Sequence, residues 1–312
     1  MTLPAQRLSF PSGGTVCAAW RFRAARDDLS TGAGAPCVVM AHGFGATRDC
    51  GLGAFAHEFA RCGFEVLAFD YRGFGDSGGE PRQTVSVARQ LADYRAAVAA
   101  ARGLGGVDPG RIVLWGASLA GGHVLVTGAR DGGVAAIVSL VPMADGLAAV
   151  RQAARQHRPG TLARSAATAV RGAVARLAGR GTRPVPLVGA PGSAAALSLP
   201  GQFEAYTALA GPAWRNEIDP AAGLEIGRYR PIRHARAVRA PLLVQIADLD
   251  RSAPPGAAAR AAVAGRAEVR HYPCDHFDVF PGNPWFRPAV EHQLAFLRRH
   301  LGRDTEEDHS GR

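Results

Sequence analysis

Short apolar runs recur along the chain and are separated by stretches with helical periodicity. The apolar runs lie at about 38–41, 66–69, 112–115, 135–141 and 242–247. They are too short for anything but buried strands. Between and after them, residues 83–102 and 285–301 carry apolar side chains at helical spacing. This alternation predicts a mostly parallel sheet that is covered by helices on both faces.

One long segment, residues 143–234, breaks the alternation of strands and helices. Val170, Val174 and Leu177 mark a helix within it, whereas 183–186 and 189–192 are rich in proline and glycine and indicate irregular connections. A chain of 312 residues with 47% hydrophobic content is long enough for one large domain with a smaller insertion. We therefore predict a core formed by 1–142 and 235–312 and an insertion at 143–234.

The strand at 112–115 leads into a turn of small residues that carries a single serine. The turn reads Gly116-Ala117-Ser118-Leu119-Ala120 and is followed by a helical stretch. A strand that feeds a helix through such a turn forces its serine into a strained backbone conformation and lifts the hydroxyl clear of the sheet. Ser118 is therefore a candidate nucleophile, and an ordinary helix-capping serine is the alternative.

Three other strands also end in residues that can carry chemistry. The strand at 38–41 is followed by His42-Gly43-Phe44-Gly45, the strand at 242–247 by Asp248 and Asp250, and the last predicted strand by His276. A serine hydroxyl is a weak nucleophile, so it needs a base within reach and an acid that orients the base. The candidate serine, acid and histidine therefore follow one another in chain order.

In this order and with these motifs the chain resembles the α/β-hydrolase superfamily over residues 5–140 and 236–301. The resemblance implies a triad of Ser118, Asp250 and His276. Asp250 is preferred to Asp248 because it precedes Pro254 at the spacing common in relatives, and Asp248 is then expected to bind its own backbone in the turn. The family usually has glycine where this chain has Ala120, which is small enough to be tolerated.

The same resemblance implies an oxyanion hole made by the backbone N–H groups of Phe44 and Leu119. It implies that His42 supports the oxyanion loop and that the 143–234 segment caps the site and sets substrate choice. Four further polar side chains are expected to build loops: Asp70, Arg72, Asp76 and Ser77. Five larger side chains of the segment could line an apolar substrate pocket or form the core of the cap: Phe203, Tyr206, Leu209, Trp214 and Tyr229.

The charge of the chain is unusual. The formal net charge is +10, and all 36 basic residues are arginine, which excludes a lysine nucleophile, a Schiff base and a phosphate-binding loop with lysine. No acidic residue lies between Asp145 and Glu204, whereas eight arginines do. The positive electrostatic field of these arginines could steer an anionic acyl substrate, such as a carboxylate or a coenzyme A thioester, toward the site. A solvated face without function explains the excess of arginine equally well. No recognition motif accompanies the charge, so we expect no nucleic-acid partner.

Other features predict a cytoplasmic enzyme without a membrane partner. The N-terminus has no apolar signal core, and no apolar run approaches the length of a membrane span. Five cysteines without paired spacing predict neither a metal site nor a disulfide framework. The polar tail at 302–312 is expected to be disordered.

The sequence thus predicts a serine hydrolase that cleaves an ester or thioester of a small acyl substrate through an acyl-enzyme, with no cofactor. A thioesterase, an acyltransferase, a carbon–carbon hydrolase or an eliminating enzyme on the same scaffold is the alternative, because fold does not determine function. A noncatalytic binding protein would need none of the triad residues. The acyl group, the leaving group and the oligomeric state stay open.

Overall fold

A computed structural model describes residues 3–180 and 182–302. Within these residues the strands are β1 Gln6–Ser12, β2 Thr15–Phe22, β3 Ala35–Ala41, β4 Glu65–Phe69, β5 Val107–Ala117, β6 Ala136–Leu140, β7 Leu242–Ala247 and β8 Glu268–Tyr272. The helices are α1 Leu52–Arg61, α2 Val87–Arg102, α3 Leu119–Arg130, α4 Gly146–Gln156, α5 Pro159–Leu177, α6 Gln202–Leu209, α7 Ala222–Arg228, α8 Ile232–Ala235, α9 Pro255–Ala264 and α10 Phe286–Leu301. Residues 303–312, which hold most of the predicted disordered tail, lie outside the described residues.

The strands form one sheet in the order β1-β2-β4-β3-β5-β6-β7-β8. β2 pairs antiparallel with β1 and β4, and every other neighbouring pair is parallel. The prediction of a mostly parallel sheet is confirmed. Because parallel strands share one carboxyl edge, the segments that follow β3, β5, β7 and β8 meet there.

Helices cover both faces of this sheet. Along β5, Ile112 and Leu114 point into the core beneath α2, α3 and α9, whereas Val113 and Trp115 point into the core beneath α1 and α10. Strands β3, β4, β6 and β7 are buried throughout, as is β5 from Ile112 to Ala117, which explains why these segments read as mostly apolar runs.

The helix predicted at 83–102 begins four residues later than expected, at Val87, the first apolar position of its pattern. Gln83 has a φ of 55°, which a right-handed helix does not accommodate, and α2 starts at Val87. The Val87 N–H donates to a carboxylate oxygen of Glu225 at 2.8 Å, so a residue of the 143–234 segment caps this helix. The other predicted helix, at 285–301, corresponds closely to α10.

The 143–234 segment leaves the sheet after β6 and returns before β7. Its two ends lie side by side: the Gly146 N–H donates to the Tyr229 carbonyl at 2.8 Å, and the Ile232 N–H donates to the Ala144 carbonyl at 2.9 Å. Helices α4 to α7 lie between these contacts. A segment closed at its base in this way can fold over the sheet edge without disturbing the strand order.

Candidate active site

Ser118 lies between β5 and α3, and its backbone adopts an unusual conformation. Its φ is 57° and its ψ is −117°. The Ser118 N–H donates to the Leu140 carbonyl at 2.9 Å, and its own carbonyl accepts from the Met143 N–H at 2.9 Å. These bonds hold the turn from both sides, and the turn presents the hydroxyl at the carboxyl edge of the sheet.

Small residues make this turn possible. A methyl group on Gly116 would lie 2.2 Å from the Ala120 carbonyl oxygen, and one on Gly43 would lie 2.9 Å from the Cβ of Ser118. Both approaches are closer than side chains tolerate. Ala120, the departure from the family pattern, is fully buried without preventing the turn. Its single methyl group is therefore accommodated.

The three predicted triad side chains form a continuous hydrogen-bonded chain. Ser118 Oγ lies 3.1 Å from His276 Nε2, and His276 Nδ1 lies 2.6 Å from Asp250 Oδ2. His276 and Asp250 are both buried. With the proton on Nδ1, the imidazole donates to the carboxylate and accepts from the serine hydroxyl, which is the arrangement needed for proton transfer.

The two aspartates that the sequence offered as acids have different partners. Asp250 Oδ1 accepts from the backbone N–H groups of Ser252 and Ala253 at 2.7 and 2.6 Å, so this carboxylate is oriented at both oxygens. Asp248 is exposed, and its Oδ1 lies 2.7 Å from His271 Nδ1. The expectation that Asp248 binds its own backbone is wrong, because the neighbouring strand β8 supplies His271 at the sheet edge.

Two carboxylates act on the imidazole of His276. Burial favours its neutral form, but the Asp250 carboxylate, its hydrogen bond and the nearby Asp275 outweigh this and hold the pKa of His276 above its ordinary value of 6.5. Asp275 also accepts from the His276 N–H at 2.8 Å and is ion-paired with Arg251. The acid loop and the histidine loop are thereby joined.

Phe44 and Leu119 lie beside Ser118 at the wall of one cavity. Among the residues that the structure describes, neither backbone N–H has a hydrogen-bond partner. The Leu119 N–H belongs to the first residue of α3, where the positive end of the helix dipole adds to its donor strength. Two unengaged N–H donors beside a serine hydroxyl can donate hydrogen bonds to a developing oxyanion.

His42 contacts the oxyanion loop rather than the serine. Its Nδ1 lies 3.0 Å from the Gly43 carbonyl, and its ring packs edge-to-face on Tyr71. Burial lowers the pKa of His42 to about 4, so the ring is neutral near neutral pH. These contacts fit the supporting position expected for His42.

The polar residues after β4 connect loops, as expected. Asp70 and Asp76 both pair with Arg48, Arg72 pairs with Asp93, and Ser77 Oγ donates to the Asp70 carbonyl at 2.7 Å. Asp70 is fully buried. These contacts fix the chain that runs behind the oxyanion loop.

The Ser118 hydroxyl faces a cavity of about 540 Å³. One wall comes from the sheet edge, including Phe44, Leu119 and His276, and the other comes from the 143–234 segment. The segment contributes mainly apolar or small side chains, among them Leu162, Ala169, Leu197, Tyr206, Ile218 and Ile226. A cavity of this size and lining suits an apolar ligand.

The five larger side chains proposed for the pocket have different roles. Tyr206 and Leu209 line the cavity, whereas Phe203 is exposed. Trp214 stacks on Tyr206, and the Tyr229 hydroxyl lies 2.8 Å from Nδ1 of buried His123. Tyr206 and Leu209 thus fit the alternative of a pocket lining, whereas Trp214 and Tyr229 fit the alternative of internal packing.

Three side chains of the segment hold the loops that carry the candidate catalytic groups, a role that the sequence did not predict for any of them. The Tyr206 hydroxyl donates to the Phe44 carbonyl at 2.8 Å. Gln152 Nε2 donates to the Asp250 carbonyl at 3.0 Å, and Gln202 Nε2 donates to Ser252 Oγ at 2.9 Å. Their partners lie 50 to 162 positions away along the chain, so no local pattern marks them.

The described residues contain no group of three or more His, Cys, Asp or Glu side chains that could hold a metal ion. The five cysteines are all free thiols, and four of them are buried. The polar groups around Ser118 are therefore those of the triad, the oxyanion loop and the cavity wall.

The chain belongs to the alpha/beta hydrolase fold family, which matches residues 36–282. It is 36% identical over 295 residues to the quorum-quenching protein AidA of Acinetobacter baumannii, an alignment that covers 94% of each chain. It is 26% identical to a polyketide transferase of Aspergillus fumigatus, over 85% of this chain and 90% of that one. The crystal structure of the alpha/beta hydrolase GrgF from Penicillium sp. sh18 has the same fold, with a TM-score of 0.79 at 24% identity over 96% of this chain and 99% of the other.

Proposed function

We propose that this protein is a serine hydrolase that cleaves a carboxylic ester or thioester through an acyl-enzyme. The observation that carries the proposal is the hydrogen-bonded chain from Ser118 through His276 to Asp250, placed at the wall of an apolar cavity. A binding protein would need none of these contacts. Because the fold alone does not determine the substrate, the substrate class has to be inferred from the cavity.

In the first half of the reaction, Ser118 Oγ attacks the carbonyl carbon while His276 Nε2 takes the hydroxyl proton. The oxyanion that forms accepts hydrogen bonds from the Phe44 and Leu119 N–H groups. The imidazolium then gives its proton to the leaving alcohol or thiol as the bond to the carbonyl carbon breaks. Asp250 stabilises the imidazolium and holds its tautomer.

In the second half, water attacks the acyl-Ser118 carbonyl while His276 Nε2 takes a proton from it. The second oxyanion collapses, the bond to Ser118 Oγ breaks, and the proton returns to the serine. The products are a carboxylic acid and the regenerated enzyme. The mechanism uses only side chains and backbone groups of this chain, and we propose no cofactor.

The substrate class follows from the lining of the cavity. Its apolar wall favours a hydrocarbon or aromatic acyl group. Arg164 and Arg251 also line the cavity. Arg251 is ion-paired with Asp275, whereas Arg164 has no ion pair among the described residues and supports an acyl substrate that carries an anionic group. The salt dependence of kcat/KM tests this.

The direct test is labelling with a fluorophosphonate followed by intact-protein and peptide mass spectrometry. We expect one adduct on the peptide that contains Ser118, and no adduct in Ser118→Ala. Ser252→Ala is the matched control, because this serine also lines the cavity but has no hydrogen bond to a histidine among the described residues, and it should keep the adduct. An adduct that survives in Ser118→Ala, or one that is lost in Ser252→Ala instead, would contradict the proposal. A panel of p-nitrophenyl esters and acyl thioesters then defines the leaving group.

Acyl transfer is the second candidate, because one relative aligned over 85% of this chain is named a polyketide transferase. Transfer and hydrolysis share every step up to the acyl-enzyme and differ in whether an alcohol, an amine or water attacks it. Product analysis with an acyl thioester and increasing concentrations of an alcohol distinguishes them. A transferase would form mainly the ester at low alcohol concentration, whereas a hydrolase would continue to form the acid.

A further inference from the structure

The long helix of the 143–234 segment, α5, has an apolar face that points outward. Val170, Val174 and Leu177 are 51%, 60% and 88% exposed. Ala163 and Ala167 are exposed as well. These five positions recur at intervals of three and four residues, so they form one continuous line along the helix, which we call the outer stripe.

The inner face of α5 is built from smaller side chains. Ala169 and Gly172 are buried, and a methyl group on Gly172 would lie 2.8 Å from the ring of Pro220. Leu162 and Thr168 line the cavity. The helix therefore packs on the protein through small residues and presents its larger apolar residues to the outside, which is the reverse of an ordinary surface helix.

Arginines flank the outer stripe, and no carboxylate opposes them. Arg164 and Arg171 follow Ala163 and Val170 directly, on one side of the stripe, and Arg176 lies near its end. None of the eight arginines between Asp145 and Glu204 forms an ion pair among the residues that the structure describes. The surface around the stripe is thus apolar in the middle and positive at the edges.

These charges decide what could cover the stripe. A second copy of the chain would bring an equal set of unpaired arginines against the first, which is unfavourable. A helix that presents aliphatic side chains on a convex surface also offers no groove for a partner's anchor residue. A lipid surface with anionic headgroups complements both features, because it accepts the aliphatic side chains and neutralises the arginines.

We propose that the outer stripe of α5 and its flanking arginines form a peripheral docking surface for an anionic lipid bilayer. No helix among the described residues is long and apolar enough to cross a bilayer. Peripheral docking needs no such helix, because the stripe enters only the boundary between headgroups and acyl chains. No membrane partner was predicted from the sequence, because Val170, Val174 and Leu177 indicated only a helix and not which of its faces is exposed.

Docking would set the cavity directly beneath the lipid surface. The inner side of the same helix lines the cavity that Ser118 faces. This consequence rests on the proposed function, whereas the docking itself does not. Ser118→Ala should therefore bind vesicles as the wild type does, and the two proposals fail separately.

The test is flotation of the full-length protein with unilamellar vesicles. Wild type should float with vesicles made of equal parts phosphatidylcholine and phosphatidylglycerol, and not with phosphatidylcholine alone. The variant Val170→Ser, Val174→Ser, Leu177→Ser should bind at least about tenfold more weakly, because it removes the aliphatic carbons that enter the lipid. Since all three side chains are exposed, the variant should keep the unfolding temperature of wild type.

The arginines are tested separately. Arg171→Gln with Arg176→Gln should also weaken binding to the anionic vesicles, and added salt should weaken binding of the wild type in the same way.

The matched control is Val263→Ser on α9, an equally aliphatic residue that is 80% exposed and lies outside the 143–234 segment in the sequence. It should float as wild type does. In Val174→Trp the fluorescence of the introduced side chain should shift to the blue on adding anionic vesicles, and in Val263→Trp it should not.

Three results would overturn the proposal. The first is a wild type that does not float with anionic vesicles. The second is a serine variant that floats equally well, since binding would then be charge attraction alone. The third is a concentration-dependent dimer of wild type that the serine variant abolishes, since a second copy would then cover the stripe.

Discussion

Ser118 holds a backbone conformation that a serine adopts only under constraint. Its φ of 57° with ψ of −117° costs of the order of 1–3 kcal/mol, which the surrounding structure has to offset. The offset comes from the bonds to Leu140 and Met143 and from the missing side chains of Gly43 and Gly116. Strain maintained by this many independent contacts indicates a position where the hydroxyl matters. It supports Ser118 as the nucleophile more strongly than the motif alone.

The choice between Asp250 and Asp248 leads to a paired prediction. Asp250→Asn should lower turnover by roughly 10³ to 10⁴, because the amide stabilises the wrong tautomer of His276 and cannot balance the imidazolium. Asp248→Asn should change turnover by less than about twofold, since an exposed contact to His271 contributes little. Steady-state kinetics on a p-nitrophenyl ester measures both. Reversed effects would transfer the acid role to Asp248 and leave the fold assignment intact.

The pKa of His276 predicts the pH dependence of activity. The imidazole has to be neutral to accept the Ser118 proton, and its pKa is held above 6.5 by Asp250 and Asp275. Activity should therefore rise with pH through an apparent pKa above 6.5 and be lost below it. Asp275→Asn should move this limb to lower pH, because one of the charges that favour imidazolium is removed while burial remains.

The measurement is kcat/KM against pH for wild type and Asp275→Asn, with Asp278→Asn as the control on the same turn. An acidic limb that lies below pH 6 in wild type, or that does not move in Asp275→Asn, would contradict this account of the base.

At the scale of single elements, the 143–234 segment does more than cover the site. Tyr206 of α6 binds the Phe44 carbonyl, and Trp214 Nε1 donates to the neighbouring Gly45 carbonyl at 3.2 Å. Gln152 of α4 binds the acid loop. The segment thus holds both the loop of Phe44 and the loop of Asp250. A shift of α4 or α6 would therefore change the positions of these loops.

Tyr206→Phe tests this coupling. The change removes one buried hydroxyl and leaves the Phe44 carbonyl without its donor, which should cost about 1–3 kcal/mol in the order of the loop. We expect kcat to fall by up to about tenfold with a smaller change in KM, because the Phe44 N–H acts on the oxyanion and not on the bound substrate. Tyr71→Phe is the matched control, since the buried Tyr71 hydroxyl has no hydrogen-bond partner among the described residues. Equal losses in both variants would mean that packing, not the Tyr206 hydrogen bond, is responsible.

The elements differ in how far the sequence determines them. β3 to β7 could be predicted because each holds a short run of mostly apolar, buried residues, and Ser118 and Asp250 could be placed because each follows such a run. β8 is mostly polar and partly exposed, so His276 was placed from its position after the last predicted strand and from the family resemblance. The 143–234 segment could not be arranged in the same way. Its contacts join residues far apart along the chain, as Tyr206 joins Phe44, and its helix α5 turns its larger apolar residues outward.

At the scale of the whole molecule, the excess of positive charge and one wall of the cavity lie in the same part of the protein, the 143–234 segment. The arginines between Asp145 and Glu204 belong to the segment whose inner side lines the cavity. Arg151, Arg155 and Arg158 are exposed around the end of α4, and α4 also contributes Gln152 to the cavity wall. The excess of positive charge therefore belongs to the segment that forms one wall of the cavity.

This arrangement predicts how salt acts on soluble substrates. If the field steers an anionic ester, kcat/KM for that ester should fall steeply with added salt, while a neutral ester of similar shape should barely respond. The reason is that the screening length shortens to about 8 Å at physiological ionic strength.

Arg151→Glu with Arg155→Glu and Arg158→Glu should lower kcat/KM for the anionic ester in the same way and leave kcat unchanged, because steering affects the encounter and not the chemical step. Reversal of three exposed arginines outside the 143–234 segment and outside the cavity lining, namely Arg239, Arg260 and Arg298, gives the same change in net charge and should have a much smaller effect. Equal salt responses of the two esters would assign the arginines of this segment to solvent or to the lipid surface and not to the substrate.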